Sequence, residues 1–159
     1  MSIMRLLPGD LADRQSIVEL KINHCNAEFD GDVTRKPRGG VERTLVTKNA
    51  VDVAIFLDEL DMIRHALETK WVPDLIAQNK VEAYDKLYDE LNEANTQLWE
   101  LEDLIRALKA APQEMEGRVD WLGRVKDIAF DIVTKNDKRS AVIKQINALW
   151  GYNRQEKMY

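Results

Sequence analysis

Eight residues between Tyr84 and Leu108 follow one another at alternating steps of three and four: Tyr84, Leu87, Leu91, Ala94, Leu98, Leu101, Ile105 and Leu108. An α-helix gathers such residues into one seam, whereas a strand, whose side chains alternate every two residues, scatters them over both faces. Sustained over more than three heptads, the pattern predicts a long helix lying at a shallow angle against a partner. That partner is either another helix of the same chain or the same helix of a second copy.

The rest of the chain is patterned around this helix. Pro8-Gly9-Asp10 reads as a turn with Asp10 as cap, and Leu11, Ile17, Val18, Leu20, Ile22 and Cys25 predict a first helix to about Ala27. From about residue 30 to 49 the periodicity fails, with Gly31, Pro37, Gly39 and Gly40 as breakers and Arg35, Lys36, Arg38 and Arg43 as charge. This stretch reads as a flexible basic loop with a weak strand signal at Thr44 to Val46. Helical spacing resumes at Val53, Phe56, Leu57, Leu60, Ile63 and Leu67, capped by Asn49 or Asp52 and stopping near Lys70.

Pro73 suits the first turn of the long third helix, which Pro112 and Gly117 end. A fourth helix carries Trp121, Leu122, Val125, Ile128, Ala129, Ile132 and Val133. Asn136-Asp137 interrupts it and caps a fifth, with Ala141, Ile143, Ile146, Leu149 and Trp150, closed by Gly151 in a left-handed stop. The sum is an all-α fold, a bundle of about five helices in one domain spanning residues 1–159, with no internal repeat and no linker.

Composition narrows the function classes. Twenty-three basic against 28 acidic residues give a net charge of -5, which disfavours nucleic acid and anionic membranes as partners. The lone cysteine, Cys25, can form no intrachain disulfide and fits a reducing cytoplasm. Pro8-Gly9 ends the first apolar run far short of a signal peptide or a membrane span.

Reactive constellations are sparse. The pair Gly39-Gly40 lacks the spacing of a phosphate loop, and one Cys with two His cannot build a structural zinc site. Lys21 and Met62, three residues before His24 and His65, rule out the Glu-x-x-His pairs of a di-iron bundle. His24 and Cys25 are adjacent and so diverge on a helix. Asp58 with Asp61, and Glu100 with Asp103, are carboxylates sharing a face; the second pair matches half of the magnesium-binding pattern of the all-α nucleotide pyrophosphohydrolases. Lys135-Asn136-Asp137-Lys138-Arg139 puts three cations at the expected start of the fifth helix, where free amides and the helix dipole attract anions.

Three stretches carry a resemblance: Pro8-Gly9-Asp10-Leu11-Ala12-Asp13 through Ser16-Ile17-Val18-Glu19-Leu20-Lys21; Leu98-Trp99-Glu100-Leu101-Glu102-Asp103-Leu104-Ile105-Arg106; and Asn136-Asp137-Lys138-Arg139 through Lys144, Ile146-Asn147 and Glu156-Lys157-Met158-Tyr159. In this order they resemble a family of small uncharacterised all-helical bacterial and phage proteins, often encoded near glycosyltransferases or sulfotransferases. The chain departs from that pattern between Asp30 and about Lys80, where it is longer. The family brings no established reaction, but the resemblance nominates polar residues: Glu19, Lys21, Trp99, Glu102, Asp103, Arg106, Asn136, Asp137, Arg139, Lys144, Asn147, Lys157 and Tyr159.

Such residues form either a small-ligand pocket or an internal network that fixes the bundle. The leading expectation is a binding or accessory protein, not an enzyme and without a cofactor, that recognises a small anionic or sugar-linked ligand or a partner protein. In it Arg139 and Lys144 contact the anion and Trp99 stacks on a ring. One alternative is a magnesium-dependent nucleotide hydrolase using Glu100 and Asp103. Another is a structural protein that forms a homodimer through Tyr84 to Leu108.

Overall fold

The computed structural model describes residues 6–33, 40–111 and 118–152, with side-chain surroundings given for 6–25, 50–111 and 118–152. It is all-α: the described residues hold no strand and form four continuous helical segments, 8–33, 40–77, 81–110 and 118–148. They are divided between two compact units, 1–81 and 82–159.

In the first unit, α1 (Pro8–Val33) begins earlier than its sequence suggests. Pro8 occupies the first turn, where its missing N–H costs nothing, and the Leu11 amide already donates to the Leu7 carbonyl at 3.0 Å. Asp10 therefore lies inside the first turn, facing the positive end of the helix dipole, and is not the cap. α1 runs on to Val33 and α2 (Gly40–Ala66) starts at Gly40. The expected loop at 30–49 is thus helical at both ends, the Thr44–Val46 strand is part of α2, and 34–39 lie outside the described residues.

α2 does not stop near Lys70. It passes through a π-helical turn, Leu67–Trp71, directly into α3 (Val72–Ala77). Pro73 explains the irregularity: inside a regular helix its ring collides with the carbonyl four residues back and it offers no amide. Here the wider turn precedes it, with the Val72 amide reaching five residues back to Leu67 and the Thr69 hydroxyl satisfying the His65 carbonyl at 2.7 Å. The turn also keeps the apolar face aligned, because Leu60, Ile63, Leu67, Trp71 and Leu75, all buried, are spaced 3, 4, 4 and 4, a drift that a regular helix would rotate out of the core. Pro73 does sit in the first turn of a helix, α3, directly after the π turn, but α3 ends at Ala77 and the long helix expected to run on from Pro73 begins separately at Val81.

The rod ends in a Schellman motif. The Lys80 amide donates to Leu75 (3.0 Å) and the Asn79 amide to Ile76 (3.1 Å), with Asn79 at φ 56°. α1 and α2 run antiparallel, since Glu19 meets Arg64 and Lys21 meets Phe56. Leu11, Ala12, Asp13, Ser16 and Val18 are the buried residues of α1 nearest these contacts. Full burial of a side chain such as Ile63 contributes about 2 kcal/mol.

The second unit is a hairpin of α4 (Val81–Ala110) and α5 (Arg118–Ala148). Trp121, near the start of α5, donates its indole N–H at 2.6 Å to the Leu108 carbonyl at the end of α4, which also accepts the Ala111 amide at 3.3 Å. Trp150, just beyond α5, packs edge-on against Tyr84 near the start of α4, with centroids 5.9 Å apart. The helices are therefore antiparallel. α4 carries eight acids against three bases and α5 four against seven, so their charges as well as their dipoles favour this pairing.

Every residue of the predicted seam is buried or half-buried. The fourth and fifth predicted helices are one: α5 passes through Asn136 and Asp137, both exposed, without a break. Gly151 does end it, at φ 90°, with its amide donating to Ala148 (3.0 Å) and that of Tyr152 to Asn147 (3.2 Å).

Asn79 holds a backbone conformation that L side chains other than Asn and Asp rarely adopt. Asn79→Ala lowers the unfolding free energy by about 1 kcal/mol and Asn79→Gly changes it by only a few tenths, as measured by chemical denaturation.

Candidate functional site

Most half-buried and buried positions of α5 fall on one inward row, Trp121, Val125, Ile128, Ile132, Lys135, Arg139, Val142 and Ile146, at alternating steps of four and three; Leu149 just beyond the helix continues it, and near the end Ile143, Asn147 and Ala148 are covered as well. It matches the seam of α4 in length and period. Two of its members are cations.

Beside each inward row runs a second one, made of the residue that follows. On α4 it is Tyr88, Asn92, Asn95, Trp99, Glu102 and Arg106; on α5 it includes Val133, Asn136, Ser140 and Asn147. One residue of helix turns a side chain by about 100°, and in two antiparallel helices of the same hand this turn leads to the same side. Both flanking rows therefore share one face of the hairpin.

The ties at the two ends set the levels. Paired positions sum to 234 for Tyr84 with Trp150 and to 229 for Leu108 with Trp121. Asn95 accordingly stands level with 134–139 and Trp99 with 130–135. The middle of the hairpin thus puts Asn95 level with Lys135, Asn136 and Arg139, and Trp99 level with Lys135. Asn95 is buried, Trp99 and Arg139 are half-buried, and all three have interaction partners. Lys135 is half-buried, and its side chain takes part in no hydrogen bond, ion pair or ring contact among the described residues.

Of the residues singled out from the sequence, Asn136 and Arg139 stand at the level of Asn95, and Trp99 lies one turn further along α4. Glu102 and Arg106 continue along the same face, exposed, and Arg106 is hydrogen-bonded to Asp103 one turn away. Asp137 and Lys144 are exposed and lie off the flanking row of α5, so Lys144 does not join Arg139. Asn147 is 2% exposed, and its carbonyl receives the amides of Trp150 (3.1 Å) and Tyr152 (3.2 Å), a part in ending the helix. Lys157 and Tyr159 lie outside the described residues.

Glu19 and Lys21 belong to the first unit and are engaged there. Glu19 accepts a hydrogen bond from Gln15 Nε2 (3.1 Å) and faces Arg64 at 3.5 Å, while the Lys21 ammonium lies 5.4 Å from the Phe56 ring. A cavity of about 270 Å³ at the start of α1 is lined by Leu6, Asp10, Asp13 and Arg14, none of them nominated.

The expected anion site at a helix start does not exist, because the amides of 135–139 are inside a continuous helix and already bonded. Sequence reasoning missed Asn95, and it read Lys135 as one of three cations at a helix start, not as a member of the inward row. The signal for Lys135 was the heptad step itself, which runs from Ile132 through Lys135 and Arg139 to Val142 once no break is assumed.

Glu100 and Asp103, both exposed, gain no third ligand: no group of three or more His, Cys, Asp or Glu able to hold a metal ion forms among the described residues. No helix among them is long and apolar enough to cross a membrane. Compared with protein-family models, with curated proteins and with solved structures, the chain finds no match.

The contacts of Glu19 and Lys21 are partly exposed, so Glu19→Gln and Lys21→Met each change stability by no more than about 1 kcal/mol. Denaturant melts check the magnitude. A variant that melts normally yet loses a ligand response of the parent protein would put its residue back in a site.

Proposed function

We propose that this chain is a binding or accessory protein that takes an anionic or sugar-linked group at the middle of the α4–α5 hairpin. The observation that carries the reading is Lys135, a half-buried cation on the inward row with no partner of its own among the described residues. A solvated lysine stem can cover apolar surface with its head in water, but this one has Arg139 a single turn away and Asn136 beside it. Two cations and an amide at one level supply the charge-assisted donors that a sulfate, phosphate or carboxylate needs. Trp99, on the facing helix, offers a ring on which a sugar or base can stack. Membership of the family that the three polar stretches resemble would favour a sugar-linked or sulfated ligand, and the single cysteine favours a cytoplasmic setting.

The test is a thermal-shift titration with inorganic sulfate, inorganic phosphate and a panel of sugar nucleotides. A concentration-dependent rise in the melting midpoint is expected, and it is absent in Lys135→Met, which retains the stem and so the parent stability. A cooperative melt that no compound moves at millimolar concentration, or a shift that Lys135→Met leaves unchanged, rejects the reading.

A further inference from the structure

The two faces of the hairpin differ in chemistry at its middle. There the inward residues Leu87, Leu91, Ala94 and Leu98 of α4 stand level with Val142, Arg139, Lys135 and Ile132 of α5. The residues that follow them make one face, in four level pairs: Tyr88 with Ile143, Asn92 with Ser140, Asn95 with Asn136, and Trp99 with Val133. These pairs sum to 231 or 232, between the 229 and 234 of the two ties. None of them carries a charge, in a chain of which 32% is charged. The residues that precede the inward ones make the opposite face, and at the same four levels Lys86, Glu90, Glu93, Asp131 and Lys138 are charged.

The uncharged face is not an apolar one, because its two middle levels hold amides and a hydroxyl. Asn95 is buried and has partners of its own. Asn136 and Ser140 are exposed and Asn92 is half-buried, and the side chains of these three take part in no hydrogen bond among the described residues. Trp99 ends the neutral stretch, since Glu102 and Arg106 come next on its row.

We propose, resting on the reading that an anionic group binds beside Lys135, that this group is carried by a pyranose sugar. The sugar ring lies on the uncharged face against Trp99, with its hydroxyls toward Asn92, Asn136 and Ser140 and its anionic group toward the inward cations. The chemistry of the face selects this class of ligand. A sugar hydroxyl donates and accepts at once, as do a carboxamide and a hydroxyl, whereas an ammonium only donates and a carboxylate only accepts. The C–H face of a pyranose is apolar and suits the electron-rich face of an indole. From Asn92 to Trp99 the face is roughly 10 Å long, room for one hexose and the anionic group it carries.

Calorimetric titration of the full chain with hexose phosphates and hexose sulfates, each against its own inorganic anion, and with a nucleoside monophosphate reads the outcome. The hexose esters are expected to bind at least about tenfold tighter than the inorganic anions, the worth of one or two net hydrogen bonds and a ring contact. Asn92→Ala and Ser140→Ala do not lower the melting midpoint and each remove about fivefold of that gain, with the affinity for the inorganic anion kept. Lys135→Met weakens hexose ester and inorganic anion alike. Three results overturn the inference and leave the anion reading in place: hexose esters that bind no tighter than inorganic anions, a gain that survives Asn92→Ala with Ser140→Ala, or a nucleoside monophosphate bound as tightly as any hexose ester. If neither inorganic anions nor hexose esters bind, both readings fall.

Discussion

One tryptophan indole and one aromatic pair hold the second unit in register. Trp121 reaches back to a carbonyl at the end of α4, and Tyr84 meets Trp150 where the hairpin opens. With both ends pinned, every position between them has a fixed level, and a slip by one heptad would break both contacts at once. The polar middle depends on this register: seven residues' displacement would carry Lys135 and Arg139 past Asn95 and Trp99 and leave the cations against leucines. An uncompensated charge on an apolar seam costs far more than the seam gains by sliding.

Polar groups along an apolar interface serve as specificity elements in two-helix packing, where a row of identical leucines is indifferent to alignment. Asn95 and Asn147 are buried and partnered, and Arg139 is partnered, so much of this polarity is internal architecture. Lys135 differs from them in having no partner among the described residues. The hairpin therefore combines partnered polar groups with one cation whose side chain has no partner among the described residues.

Much of this was legible from spacing. The seam from Tyr84 to Leu108 and the left-handed stop at Gly151 are local patterns with one physical solution each, and they are found where the sequence places them. What was not legible has specific causes. Asn136-Asp137 carries strong capping chemistry, but a cap acts only where the chain leaves a helix, and on an exposed face within a paired helix both residues are simply solvated. Pro73 likewise reads as a helix start because its usual effect is to forbid a helix before it. The convergence of Asn95 with Lys135 depends on the register of two helices, which is a tertiary quantity. Glu19 and Lys21 were nominated with residues of the other unit, and each is accounted for by its own neighbours, Arg64 and Phe56.

The π turn at 67–71 bears on the history of the chain as well as on its shape. A π turn is a regular helix that has accepted one additional residue, and it confines the disturbance to a single turn, so that the apolar faces before and after it still point the same way. On either side of Leu67 to Trp71 the chain is therefore counted in two different frames, offset by one. An alignment that forbids a gap inside a helix will pair α3 with the wrong face of a relative that lacks the extra residue. The extra residue thus leaves the interior in place, and Pro73 adds to the cost of the regular form by its missing amide and its ring.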